Sequence, residues 1–242
     1  MRLLAFFPFM LLFLICASAR ANITLDTHSS HQGTATCGIA SISLTLTSVT
    51  AGDLITCEGT MGSGGAATSI AVSDSTNGAY SVASAIQNNL DATQYVAMFY
   101  FQNAAAGTYS VTATNTGGAC YFGLSCQAWK GVAKTSALDT SFGQYKYQAT
   151  SAANPTTGTA LTPYTSGELI IGFLDTSNNT PTAGTNYTLI DAQTACLAYP
   201  EYWIQNAPTA TNAPFTMATD IWLDQMVAFK PIPRPTGYQI NQ

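Results

Sequence analysis

Acid–base, nucleophilic or metal chemistry in this sequence would have to use two histidines, His28 and His31, and twelve Asp and Glu residues. Asp26, His28 and His31 lie within six residues and offer a carboxylate and two imidazoles. A closed zinc site takes about four ligands, and no nearby carboxylate or cysteine completes the set. The segment is therefore expected to be a polar loop leaving the first strand. A Ser-His-Asp triad would also need one of these histidines, and no G-x-S-x-G elbow with a following helix is present. Paired carboxylates could in principle hydrolyse a glycosidic bond. The acids fall mostly at turns, however, with Asp53 and Asp74 echoed by Glu168 and Asp175, and short turn carboxylates are explained by bonds to local backbone N–H groups. No catalytic residue is expected. No cofactor is expected either. Calcium at Asp74 and Asp175 is the alternative, with Ser75, Asn77 and Asn178 alongside, but one carboxylate per loop falls short of the roughly six to eight oxygens calcium takes.

The aromatics carry more promise for binding. Most, such as those of Tyr95 to Phe101, alternate along strands and fill a core. Tyr145 and Tyr147 stand among Gly and Gln, and Tyr199, Tyr202 and Trp203 stand around Pro200 and Glu201. Proline disfavours a central strand, and three rings in five residues cannot share one strand face. These five residues are the candidate contact surface for a sugar or a partner. The alternative for each is ordinary packing.

Elements positioning such residues would fold outside the cytoplasm. Met1-Arg2, an apolar run from Leu3 to Ala17 and the small residues Ala17-Ser18-Ala19-Arg20-Ala21 read as a secretory signal peptide over 1–21, with the mature chain starting at Asn22. The run is short of the about 20 apolar residues that span a bilayer, and Ile15 before Cys16 disfavours lipidation. Export favours disulfides among Cys37, Cys57, Cys120, Cys126 and Cys196. Five is odd, so one thiol is left over. Cys120 and Cys126 share a strand and stand about 20 Å apart, so each is expected to pair elsewhere or to stay free. Without its leader the chain keeps five basic residues against twelve acidic ones, a net charge near −7. That excludes a phosphate-neutralising stripe for nucleic acid and adhesion to an anionic membrane. Charged residues make up only 8%, but 47% hydrophobic residues argue against disorder.

Period-two patterning dominates. Strands are expected at 39–49, 53–59, 68–73, 95–102, 107–116, 120–130, 168–174, 187–190, 197–204, 214–219 and 224–230, with one short helix near 85–90. Such spacing means a sandwich or barrel. Three segments recur in order: Thr50 to Ile55 with Thr165 to Ile170, Asp74 to Asn77 with Asp175 to Asn178, and Ala128-Trp129-Lys130 with Ala228-Phe229-Lys230. They predict two half-units, about 39–130 and 160–230, packed about a pseudo-twofold in one domain over 22–231. The alternative is two domains joined near 150–163. The proline-rich end, 232–242, is expected to be a flexible tail.

The order TAGDLI, VSDSTNGAYSV, AAAGTYSVTAT, ELIIGF and MVAFKP resembles bacterial exported β-sandwich modules of undefined activity, found in cell-surface and phage-tail proteins. The resemblance covers most of 22–231 and rests on turns and strands. It implies an all-β, antiparallel, jelly-roll-like sandwich. The expected function is exported, non-enzymatic binding or adhesion, towards a glycan or an extracellular protein. A structural subunit of an extracellular assembly is the second reading, in which the chain oligomerises. A loop-based carboxylate hydrolase is the third.

Overall fold

The protein is described by a computed structural model covering residues 22–32, 38–62, 69–88, 94–192 and 194–233, with the backbone alone at 32, 85–88, 94 and 117–119. The expected leader, Cys37 and the tail beyond Pro233 lie outside the described residues. Among the described residues there is no α-helix, and the strands form three antiparallel sheets. The all-β sandwich class is therefore observed.

The first sheet holds β2 (Ile39–Val49), β4 (Ile70–Asp74) and β5 (Gly78–Ala79), with β2 and β4 flanking the first half of β8 (Gly107–Lys130). In β2, Ile42, Leu44 and Leu46 point inwards and the intervening Ser and Thr side chains face solvent, the alternation of a half-buried strand. The second half of β8 leaves this sheet and enters the middle one, whose order is β6 (Ser81–Asn88), β7 (Gln94–Phe101), β3 (Leu54–Gly62), β8, β1 (Thr24–Gln32). The change of partners falls beside Gly117-Gly118. The third sheet has the order β11 (Thr188–Leu189), β12 (Ala198–Ile204), β10 (Leu169–Thr176), β13 (Asp220–Phe229), β9 (Leu138–Ala152).

The middle sheet is covered on both sides, which makes β3 buried throughout. Ile55, Cys57 and Met61 face the first sheet, in a core with Leu44, Leu46, Val111, Phe122 and Leu124. Leu54 faces the third sheet, in a second core with Trp129, Ile171, Phe173, Leu223 and Phe229. Burying apolar area on both faces at about 25 cal/mol per Å2 is the main stabilising term for these layers. The outer face of the third sheet is roofed by loops, under which Phe142, Ile170, Tyr187, Ala213 and Met226 pack.

The middle and third sheets share a strand order: taken by chain position, each runs third, fourth, second, fifth, first. Registers agree as well. Leu54 pairs with Trp129 as Leu169 pairs with Phe229, and Trp129 pairs with Leu25 as Phe229 pairs with Leu138. Two of the three sequence echoes therefore occupy corresponding places. The third does not. Asp74 ends β4 in the first sheet, whereas Asp175 lies on β10 at the level of Thr60 on β3.

Several expectations are corrected. The helix near 85–90 is replaced over Ser81–Asn88 by β6; its remainder lies outside the described residues. The segment Asp26 to His31 is strand β1, not a loop, because it pairs along the edge of β8 from Lys130 to Gly123. Residues 214–219 form only isolated bridges. The segment 150–163 ends β9 and then roofs the third sheet, with Thr157 buried and Thr156 bridged to Pro214, so it is no free linker. Strand β9 was hidden by its scarcity of large apolar residues.

Candidate functional site

His28 and His31 are three apart on β1 and point to opposite faces. His28 Nδ1 lies 2.8 Å from Asp191 Oδ1, towards the third sheet, and His31 Nδ1 lies 2.5 Å from the Ser43 carbonyl of the first. Asp26 is engaged at 2.5 Å by Lys130 Nζ. The three side chains thus diverge. Among the described residues no group of three or more His, Cys, Asp and Glu is placed to hold a metal ion. Asp74 accepts the backbone N–H groups of Thr76 and Asn77, the Asn77 amide and the Tyr80 hydroxyl. These bonds outweigh burial and hold its carboxyl below the usual range. Its oxygens serve the turn, and Asp175 is enclosed between sheets.

The proposed aromatic surface is largely interior. Tyr199 is fully buried with Leu174, Phe215 and Trp222, which removes it from any contact surface. Tyr202 packs on Trp129 with ring centres 5.0 Å apart. Trp203 is half-buried and packs on Tyr187 at 5.7 Å, against the core beneath the loops. Proline at 200 is tolerated inside β12, where its carbonyl accepts from Ile190 N–H. Tyr147 is half-buried against the core between the middle and third sheets. Of the five, Tyr145 is the exposed ring, at 58%. It stands on β9 at a cleft of about 330 Å3 with Ser84, Asp139, Thr140 and Gln144.

Two other exposed tyrosines, missed in the sequence, also edge clefts. Tyr164, 78% exposed, borders one of about 390 Å3 with Thr135, Lys230, Pro231 and Ile232. Tyr121, 48% exposed, borders one of about 260 Å3 between the middle and third sheets, with Thr60, Ser177, Cys196 and Leu197. Tyr121 and Leu197 both have positive φ, 53° and 54°, a conformation that costs a bulky residue energy and concentrates at functional sites. No pattern of residue types announces such backbone strain.

Behind this last cleft runs a polar seam. Thr60 Oγ1 donates to Asp175 Oδ2 at 2.5 Å, Thr56 Oγ1 to Gln127 Oε1 at 2.9 Å, and Trp129 Nε1 to Thr56 Oγ1 at 3.0 Å. Glu58 is enclosed among them. Burial pushes its carboxyl up to about 8 and that of Asp175 to about 7. A second buried pair lies under the loops, where burial lifts Glu201 to about 8 and Asp224 well above the usual range. Glu201 Oε2 accepts the Gly184 N–H at 2.9 Å. At the strand ends, Asp26 with Asp53 and Asp139 with Glu168 form corresponding carboxyl pairs. In each, burial raises the acid that precedes the inner strand: Asp53 to about 6, and Glu168 upward. The partner on β1 or β9 is held low by hydrogen bonds despite burial, from Lys130 and Thr50 to Asp26 and from Ser141 and Tyr164 to Asp139. Thr50 N–H donates to Asp53 and Thr165 N–H to Glu168, the local bonds expected of turn acids.

Cys57 and Cys126 form a disulfide between adjacent strands. Cys120 is also disulfide-bonded, and Cys196 is a buried thiol. Comparisons with protein-family models, with curated proteins and with solved structures found no match to this chain.

Proposed function

We propose that this chain is an exported, non-catalytic binding or adhesion module whose contact surface is built from exposed tyrosines at cleft edges, and that it recognises a glycan or an extracellular partner. The observation that carries this reading is the Tyr145 ring, 58% exposed beside a cleft carrying Thr140, Asp139 and Gln144. A tyrosine face offers apolar area for a sugar ring while neighbouring hydroxyl and amide groups bond its hydroxyls. Bare aromatic surface of this kind marks interaction sites. The signal-like leader and the disulfides support an oxidising, extracellular location. The shared strand order of the middle and third sheets supports an ancestral duplication. A glycan array probed with the mature chain tests the reading, with Tyr145→Ala and Tyr164→Ala in parallel. Binding lost in either variant, with unchanged melting, supports it; retention of binding in both overturns the tyrosine surface.

The second reading, a subunit of an extracellular assembly, is favoured by β9. This 15-residue strand ends the third sheet and pairs only with β13 among the described strands. A free edge accepts a strand from a neighbour. Concentration-dependent sedimentation of the mature chain distinguishes this reading from a monomeric binder.

A further inference from the structure

Thr56 on β3 and Gln127 on β8 are direct cross-strand partners, and both are buried. The Thr56 hydroxyl is 2.9 Å from Gln127 Oε1. Whichever amide atom faces Thr56, the carbonyl carbon is one bond further on, so nucleophile and electrophile are held together before any reaction. Trp129 Nε1 donates to the same hydroxyl and fixes its orientation, and Ser125 Oγ accepts from Gln127 Nε2 at 2.7 Å. Glu58 follows Thr56 by two residues, on the same face of β3. It is wholly buried beside Thr56 and Gln127, and neither of its carboxylate oxygens has a hydrogen bond of good geometry. A buried carboxyl short of full hydrogen bonds is costly, and the groups set against this one are the Gln127 amide and the Thr56 hydroxyl.

We propose that Thr56 and Gln127 condense spontaneously into an intramolecular ester, with Glu58 carrying the proton. The bond between Thr56 Oγ1 and Gln127 Cδ forms, and the bond between Cδ and Nε2 breaks. The hydroxyl proton passes to Glu58 and from Glu58 to the departing nitrogen, which leaves as ammonia. No electrons change hands and no co-reactant is needed. Burial raises the Glu58 carboxyl to about 8, so its ionised form is a stronger base than a solvated carboxylate, and a pKa close to the working pH suits a group that must both take and give a proton. Holding the groups in contact supplies the effective concentration that an unactivated amide requires. Exclusion of water from the layer interface protects the ester once it forms.

The placement has a mechanical consequence. The neighbouring pair in the same register, Cys57 and Cys126, is already bonded on the opposite face of the middle sheet. The ester would tie the same two strands on the face towards the third sheet. Strands β3 and β8 would then stay joined after reduction of the disulfide.

Mass spectrometry of the mature protein, fully reduced and alkylated, tests this directly. The expected mass is one ammonia below the sequence mass, with a linked peptide pair containing Thr56 and Gln127 that mild alkali separates. Thr56→Ala and Glu58→Gln should each restore the missing ammonia, and Thr56→Ser should keep the link. If the wild-type chain shows its full sequence mass and separate peptides, the proposal is overturned, whether or not the variants fold. An ammonia loss mapped to any other residue overturns it equally. A Glu58→Gln chain that folds and is linked as fully as wild type removes Glu58 from the reaction.

Discussion

Thr60, on the innermost strand of the middle sheet, donates its hydroxyl to the Asp175 carboxyl of the third sheet at 2.5 Å. Both residues are buried, and they occupy the same level of their two sheets. The contact joins layers that otherwise meet mainly through apolar side chains, and it puts a titratable group where water cannot solvate its charge.

Stability should therefore fall as pH rises. Burial raises Asp175 to about 7 and Glu58 and Glu201 to about 8. Each holds its proton more tightly folded than unfolded. Their contribution is fully present below the ordinary carboxylate range and is lost as pH passes through 7 to 8. Chemical denaturation should show a loss on the order of a few kcal/mol between pH 5 and pH 9. Asp175→Asn should flatten part of that slope. A midpoint that rises over this interval contradicts the assignment.

The Cys57–Cys126 disulfide closes a loop with a sequence separation of 69. Constraining an unfolded chain over that length is worth about 4 kcal/mol. Replacing both cysteines by alanine should lower the unfolding free energy by about 2–4 kcal/mol in urea titrations. Non-reducing peptide mapping should recover the two residues in one linked peptide.

Trp203→Ala should cost stability. Its half-buried ring packs on Tyr187 against the core under the loops, and losing that apolar contact removes about 1–3 kcal/mol. Tyr145→Ala, which removes an exposed ring, should change stability by less than about 0.5 kcal/mol while weakening ligand binding. Thermal melts of the two variants, read side by side, separate packing from contact. An unchanged melting temperature for Trp203→Ala would return that ring to the surface.

Gly184→Ala should be poorly tolerated. A Cβ there would lie 1.7 Å from the Pro214 carbonyl oxygen, and the same glycine donates its N–H to Glu201. The loops over the third sheet would have to separate, exposing the core around Ala213 and Tyr187. The expected readout is faster amide exchange in residues 205–219, accompanied by a lower melting temperature. Wild-type exchange in this segment would show that the loops give way without cost.

The sequence made legible the strands with strong alternation, such as Ile39–Val49, because a half-buried strand writes its two faces into alternate residues. It also determined that TAGDLI and TSGELI begin corresponding strands, since the turn acids must satisfy the same local backbone N–H groups. Tertiary structure decided which faces were covered twice. In Leu54–Gly62, Thr56, Glu58 and Thr60 read as a solvent face, yet all three are buried, because the third sheet lies over them. On the outer face of the third sheet the roofing loops took Tyr199 inward and half-covered Trp203, while Tyr145, Tyr164 and Tyr121 stayed exposed. Residue type records an affinity for water or for other side chains. Only the stacking of layers from distant parts of the chain fixes which side chains meet, and the juxtaposition of Thr56, Gln127 and Glu58 is of that kind.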